Sequence, residues 1–183
     1  MTATSSDAQP SVRLVPAILD APPGLEAFLR EIGEGENGFG GELTFIHGER
    51  TLPQLLRSLV DASAGRGLPE GWVPARTCWL LDEGGAVIGM SRLRHEYTPF
   101  LREKGGLVGY YVKRTERGKG LGTKILAATL DLARNLGIDR VMIAAYADNA
   151  ASIRVIEANG GTLEDERAAP DGHVFRRYWI ELT

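Results

Sequence analysis

The chain has 183 residues, 43% of them apolar, and a formal net charge of −3. That length allows one domain with a substantial core, and a charge so near balance gives no reason to expect nucleic acid as a partner. The lone cysteine, Cys78, excludes an internal disulfide and a Cys-rich metal site; within Thr77-Cys78-Trp79-Leu80-Leu81 it reads as a small buried apolar group rather than a nucleophile.

Residues 1–10 are polar and rich in Thr, Ser, Ala and Pro, and are expected to form a flexible tail. They lack the basic and apolar segments of a secretory leader. No run reaches the roughly 20 apolar residues that a membrane span needs, so a cytoplasmic protein without a membrane partner is expected. The fold, a single domain over 11–183, starts with a short strand at residues 11–16. Pro22 and Pro23 open a helix with Leu25, Phe28, Leu29 and Ile32 on one face, ending near Gly33. A Gly-rich loop follows at 38–41. Thr51-Leu52-Pro53 then starts a second helix carrying Leu55, Leu56, Leu59 and Val60.

From Arg76 the pattern becomes extended. Residues 77–81 and 86–94 read as antiparallel strands joined by the turn Glu83-Gly84-Gly85. A polar connection over 97–106 leads to a buried strand at 107–112. Leu121, Ile125, Ala128, Leu132 and Leu136 recur at spacings of three and four, an amphipathic helix closed by Gly137. A strand at 141–146, a shorter helix at 149–158, and strands at 162–166 and 174–182 around the turn Pro170-Asp171-Gly172 complete the order.

The segment Arg117-Gly118-Lys119-Gly120-Leu121-Gly122-Thr123 lies between a strand and the start of the strongest helix. There, N–H groups without helical partners and the positive end of the helix dipole favour an anion. Three glycines let phosphate oxygens approach, and Arg114, Arg117, Lys119 and Lys124 add positive charge. A Walker A loop would place its lysine directly after the last glycine, and a dinucleotide fingerprint would need glycine at 123. A plain helix-capping turn is the structural alternative.

These residues resemble the GNAT superfamily of acyl-CoA-dependent N-acyltransferases, whose signature [QR]-x-x-G-x-[GA] is matched by Arg117, Gly120 and Gly122. The likeness extends to Gly109-Tyr110-Tyr111-Val112 and Asn149-Ala150-Ala151-Ser152-Ile153, and covers about residues 12–182. Trp72-Val73-Pro74, Arg94-His95, Gly109-Tyr110 and Arg176-Arg177-Tyr178-Trp179 are similar to a group of bacterial acetyltransferases. The resemblance implies an α+β fold of three α/β layers, with a mixed, mostly antiparallel central sheet. Helices cover both faces, and the sheet is splayed between the family's fourth and fifth strands, here near 109–112 and 141–146.

It further implies acetyl-CoA as cosubstrate and no metal. Tyr110, Tyr111 and Val112 would line the pantetheine arm. Arg117, Gly118, Lys119, Gly120, Leu121, Gly122 and Thr123 would hold the pyrophosphate, and Asn149 and Ser152 would meet the arm beyond the fifth strand; a plain helix N-cap is the other reading of Asn149. A small amine or peptide amine would be the acceptor, attacking directly in a ternary complex. A homodimer is compatible with this reading, and a non-catalytic acyl-CoA-binding module is the alternative to it.

Acyl transfer needs a neutral amine, a donor for the oxyanion and, in some enzymes, an acid for the leaving thiolate. The Val112 N–H is the expected oxyanion donor. The family's usual acid is a tyrosine at the position of Ile156, so that group is missing here. Tyr146 and Tyr178 are substitutes, each also readable as packing, and His95 and Glu96 are the candidate bases, His95 also readable as a hydrogen-bonded structural histidine. Glu26, Glu31, Glu34, Glu36 and Glu42 crowd the first part of the chain, as a site for a cationic amine or simply as a solvated acidic face.

Overall fold

A computed structural model describes residues 11–169 and 172–182; the tail at 1–10 and the Pro170-Asp171 part of the last turn lie outside them. The described chain forms β1 (Arg13–Pro16), α1 (Leu25–Ile32), β2 (Gly35–Glu36), β3 (Phe39–Gly40), α2 (Leu43–Ile46), α3 (Leu52–Ser63), β4 (Ala75–Leu81) and β5 (Val87–Arg94). A turn of π-helix (Leu101–Gly105) leads to β6 (Val108–Val112), and a 3-10 turn (Arg114–Glu116) to α4 (Leu121–Asn135). Then come β7 (Arg140–Tyr146), α5 (Ala150–Ala158), β8 (Thr162–Ala168) and β9 (Val174–Glu181).

The local signals explain the helix ends. At α3, Thr51 Oγ1 accepts the Gln54 N–H at 3.4 Å and Gln54 Oε1 accepts the Thr51 N–H at 2.8 Å, a capping box with Pro53 in the first turn. After α4, Gly137 takes φ 73° and the Ile138 N–H reaches back to the Ala133 carbonyl at 3.1 Å. That is the Schellman closure a glycine permits. α1 buries Leu25, Phe28, Leu29 and Ile32, the stripe its spacing predicts. In α4 the buried face is Leu121, Ile125, Leu126, Thr129, Leu130 and Ala133: the expected Leu121 and Ile125 belong to it, whereas Ala128 and Leu132 are half-buried at its edge and Leu136, at the helix end, is exposed.

Three layers result. On one face, α1 and α3 pack with Trp79, Met90 and Tyr111; on the other, α4 and α5 pack on Leu93, Val108, Ile143 and Tyr178. Between them lie two sheets, ordered β1-β4-β5-β6 and β7-β9-β8, every strand pairing in them antiparallel. They meet at a single bridge, Gly106↔Ile143, where the Leu107 N–H donates to the Met142 carbonyl at 2.9 Å. Beyond that bridge no ladder joins β6 to β7, so the splay between them is complete. The β2-β3 hairpin beside it, α2 and the π-turn are additions to the elements expected from sequence.

Candidate active site

The open edge of β6 follows from its register. Lys113 N–H donates to the Ile88 carbonyl at 2.9 Å and Arg94 N–H to the Leu107 carbonyl at 2.8 Å. Antiparallel ladders alternate, so Gly109 and Tyr111 turn their backbone groups to β5, whereas Val108, Tyr110 and Val112 turn theirs into the gap. On the far side, the same alternation against β9 turns Ala144 and Tyr146 toward the gap. A segment laid between β6 and β7 would meet donors and acceptors from both.

Two cavities flank this gap. One, of about 540 Å³, is bounded by Tyr110, Tyr111, Val112, Arg117, Gly118, Gly120, Leu121, Gly122, Thr123, Asn149, Ser152 and Val155 among others. The sequence-derived cofactor residues thus converge on one space, except Lys119, whose ammonium pairs with Glu116 at 2.8 Å. α4 begins at Gly120 without a side-chain cap, leaving the N–H groups of Leu121, Gly122 and Thr123 without intrahelical partners. Gly118 and Gly120 have φ of 79° and 74° with open space where a Cβ would stand. Gly122 is there for a different reason: a Cβ would sit 3.0 Å from Val155 of α5. Asn149 caps α5, its side chain accepting the Ser152 N–H at 3.1 Å.

The Arg117 side chain, at the wall of this cavity, is held by neighbours within the protein. Its Nε donates to the Val112 carbonyl at 3.1 Å, its guanidinium lies 5.0 Å from the Tyr111 ring centre, and it pairs with Glu36. Arg114 reaches the same carboxylate at 3.1 Å. Burial alone would push the Glu36 carboxyl up, but hydrogen bonds from Arg117 and Arg114 outweigh it and hold it below its ordinary value. The signature arginine therefore braces the loop, and its partner, 81 residues away, was not visible from spacing.

The second cavity, about 530 Å³, lies beneath the β2-β3 hairpin and shares Asn37, Phe39, Tyr110 and Ser152 with the first. Tyr110 Oη lies 2.8 Å from Ser152 Oγ, and burial pushes the phenol up to about 12 despite that bond. Tyr146 also lines this cavity, with its ring 5.1 Å from that of His173.

The candidate acid and bases are placed elsewhere. Neither His95, Glu96 nor Tyr178 lines either cavity. His95 Nε2 is buried with no hydrogen-bond partner among the described residues, and burial and Arg76 push the imidazole down while Glu96 opposes them. Tyr178 is buried against α5, its hydroxyl 3.4 Å from Glu157. The acidic residues of the first region are engaged. Glu26 pairs with Arg30, Glu34 with His47 and Glu42 with Arg92, while Glu31 accepts the Arg114 N–H at 2.8 Å. Among the described residues no group of three metal-ligating side chains converges, and no helix is long and apolar enough to cross a membrane.

The chain is similar to known proteins in sequence and in fold. The chain is 32% identical over 103 residues to the L-methionine sulfoximine/L-methionine sulfone acetyltransferase of Pseudomonas aeruginosa, covering 56% of this chain and 58% of that protein; the match spans little more than half of that relative. It is similar in fold to a ribosomal alpha-N-protein acetyltransferase in complex with coenzyme A, with TM-score 0.68, 18% identity and 93% of each chain covered. A ribosomal-protein alanine acetyltransferase from Vibrio fischeri superposes with TM-score 0.65 at 19% identity, over 98% of this chain and 97% of that one. The family model described as acetyltransferase (GNAT) matches residues 54–160, the stretch that holds β4 to β7 and the glycine loop, and the chain belongs to that family.

Proposed function

We propose that this protein is an acetyl-CoA-dependent N-acetyltransferase, a single domain over 11–183 that transfers the acetyl group to a primary amine by direct attack in a ternary complex. The observation that carries the reading is the gap between β6 and β7, with an uncapped helix start at one end and a second cavity across it. The family membership supports it, as do the coenzyme A in one structural neighbour and the substrates in the name of the Pseudomonas aeruginosa relative, which carry a primary amine.

The loop N–H groups from Gly118 to Thr123 hold the pyrophosphate, while Tyr110, Val112, Asn149 and Ser152 line the arm. Acetyl-CoA supplies an activated acyl thioester. The Val112 N–H, turned into the gap, stabilises the charge that develops on the carbonyl oxygen. Tyr110 replaces the tyrosine that Ile156 displaces: its phenol stays protonated and stands where the two cavities meet, ready to donate to the departing thiolate. The second cavity receives the acceptor. Its lining contains Arg92, Arg94 and Lys104 but no carboxylate or histidine; Arg92 is met by Glu42, and the charges of Arg94 and Lys104 lower the amine's pKa, the proton passing to water.

The missing base favours one other reading, an acyl-CoA-binding module without turnover. Thiol release from acetyl-CoA over a panel of small amines and peptide amines separates the two, with thermal shift as the binding control. Turnover by any amine supports the enzyme. A raised melting temperature without release supports the module, and no shift at millimolar acetyl-CoA sinks both. We place the protein in the cytoplasm, without membrane or nucleic-acid partners, which fractionation of its host cells tests; light scattering decides between monomer and homodimer.

A further inference from the structure

The second cavity holds an arginine whose charge no carboxylate among the described residues balances. Arg92 is paired with Glu42. Arg94, two residues on and on the same face of β5, has one hydrogen bond, from Nη1 to the Gly106 carbonyl at 3.3 Å, and among the described residues no carboxylate within ion-pair distance. Arg177 shows what this fold otherwise does with a buried guanidinium. It is met by Asp165 and Glu164 and by the Arg102 carbonyl. A guanidinium offers five donors in a planar fork, and leaving one unpaired in a half-buried site is costly. Burial and Arg92 press Arg94 down to about 10, yet it stays charged at neutral pH.

Lys104 lines the same cavity and also has no carboxylate partner among the described residues. The rest of the lining is largely apolar, with Phe39, Phe100, Ile143 and Phe175. Positive charge at one edge, apolar walls elsewhere and room for a small molecule describe a host for an anion with an apolar body. They disfavour a polycation or a simple alkylammonium.

We propose that the acceptor carries a carboxylate beside its amine, as a free α-amino acid with an uncharged side chain does. Arg94 anchors that carboxylate through a two-pronged ion pair, with Lys104 as a second cation. The inference rests on the acetyltransferase reading for the amine's role, but the carboxylate site itself is a matter of binding alone. Arg–carboxylate pairs are short, paired and directional, so the anchor would orient the amine as well as hold the molecule.

The test uses matched sets: uncharged L-amino acids, their carboxamides and the corresponding decarboxylated amines. Each is titrated calorimetrically into protein saturated with CoA, and each is assayed for thiol release from acetyl-CoA. Acids should bind at least about tenfold more tightly than amides. Arg94→Gln should bring that ratio close to one while acetyl-CoA affinity stays unchanged, and Arg94→Lys should retain part of it. Amides or amines binding as well as acids, or no binding by any of the acids, would overturn the proposal. So would a wild-type ratio in both variants, each verified as folded by circular dichroism. Carboxylate preference in calorimetry without thiol release would sink the acetyltransferase reading and leave the site standing; thiol release without the preference would do the reverse.

Discussion

The hydroxyl of Tyr110 lies 2.8 Å from Ser152 Oγ, tying the open edge of β6 to the first turn of α5 at the point where the two cavities share a wall. Because burial pushes that phenol up to about 12, it remains a donor at every pH the enzyme would meet. Tyr110→Phe keeps the ring and its packing and removes the hydroxyl, with its bond to Ser152. We expect kcat to fall by about 10- to 100-fold, with the KM for acetyl-CoA changed by less than about threefold. Steady-state thiol release gives both numbers, and an unchanged kcat would remove Tyr110 from the chemistry.

The loop makes a separable prediction. Gly120 stands at φ 74° with nothing within 4 Å of a Cβ, so an added methyl finds space but a strained backbone. Gly120→Ala should cost about 1–2 kcal/mol of stability. By disturbing the first N–H groups of α4 it should weaken acetyl-CoA binding by about tenfold or more. Urea denaturation and calorimetry check the two effects. Retained affinity in a destabilised variant would mean that the loop is structural only.

Gly106 guards the junction of the sheets. It has φ 65°, and a Cβ would press into the Met142 carbonyl, the group that accepts the Leu107 N–H. Gly106→Ala should therefore lose more than about 2 kcal/mol. Gly84→Ala is the control, since its φ is ordinary for an L residue and the nearest atom to a Cβ is Asp82 Oδ1 at 3.4 Å; its cost should stay within about 0.5 kcal/mol. Equal melting temperatures for the two variants would contradict the strain argument.

Acid stability should report on Asp165. Hydrogen bonds from Arg177, against a smaller opposing effect of burial, hold its carboxyl down to about 2 from an ordinary 3.8. Since the folded value is the lower, the unfolded chain takes up the proton first. The contribution is thus present above about pH 4 and lost as pH falls from about 4 to about 2. Asp165→Asn should have a lower urea midpoint than the parent at neutral pH, and the gap should narrow through that window. A gap of constant size down to pH 2 would show that the pair contributes nothing.

The sequence by itself determined whatever depends on neighbours along the chain. The buried stripe of α1, the helix start at Thr51, the hairpin around Gly84 and the glycine loop are local, because helix period, capping and positive φ are settled within a few residues. β2, β3 and α2, two to four residues long, carry too little pattern for a period to register. Only the tertiary structure decided which side chains share a cavity. It set Arg117 against Glu36, left His95 and Tyr178 outside both cavities, engaged the early glutamates in ion pairs and hydrogen bonds, and brought Arg94 to the second cavity with no carboxylate in ion-pair reach among the described residues. Charge balance is a property of neighbours in space, and in a sheet those neighbours are assigned by strand order and register, which no spacing along the chain encodes.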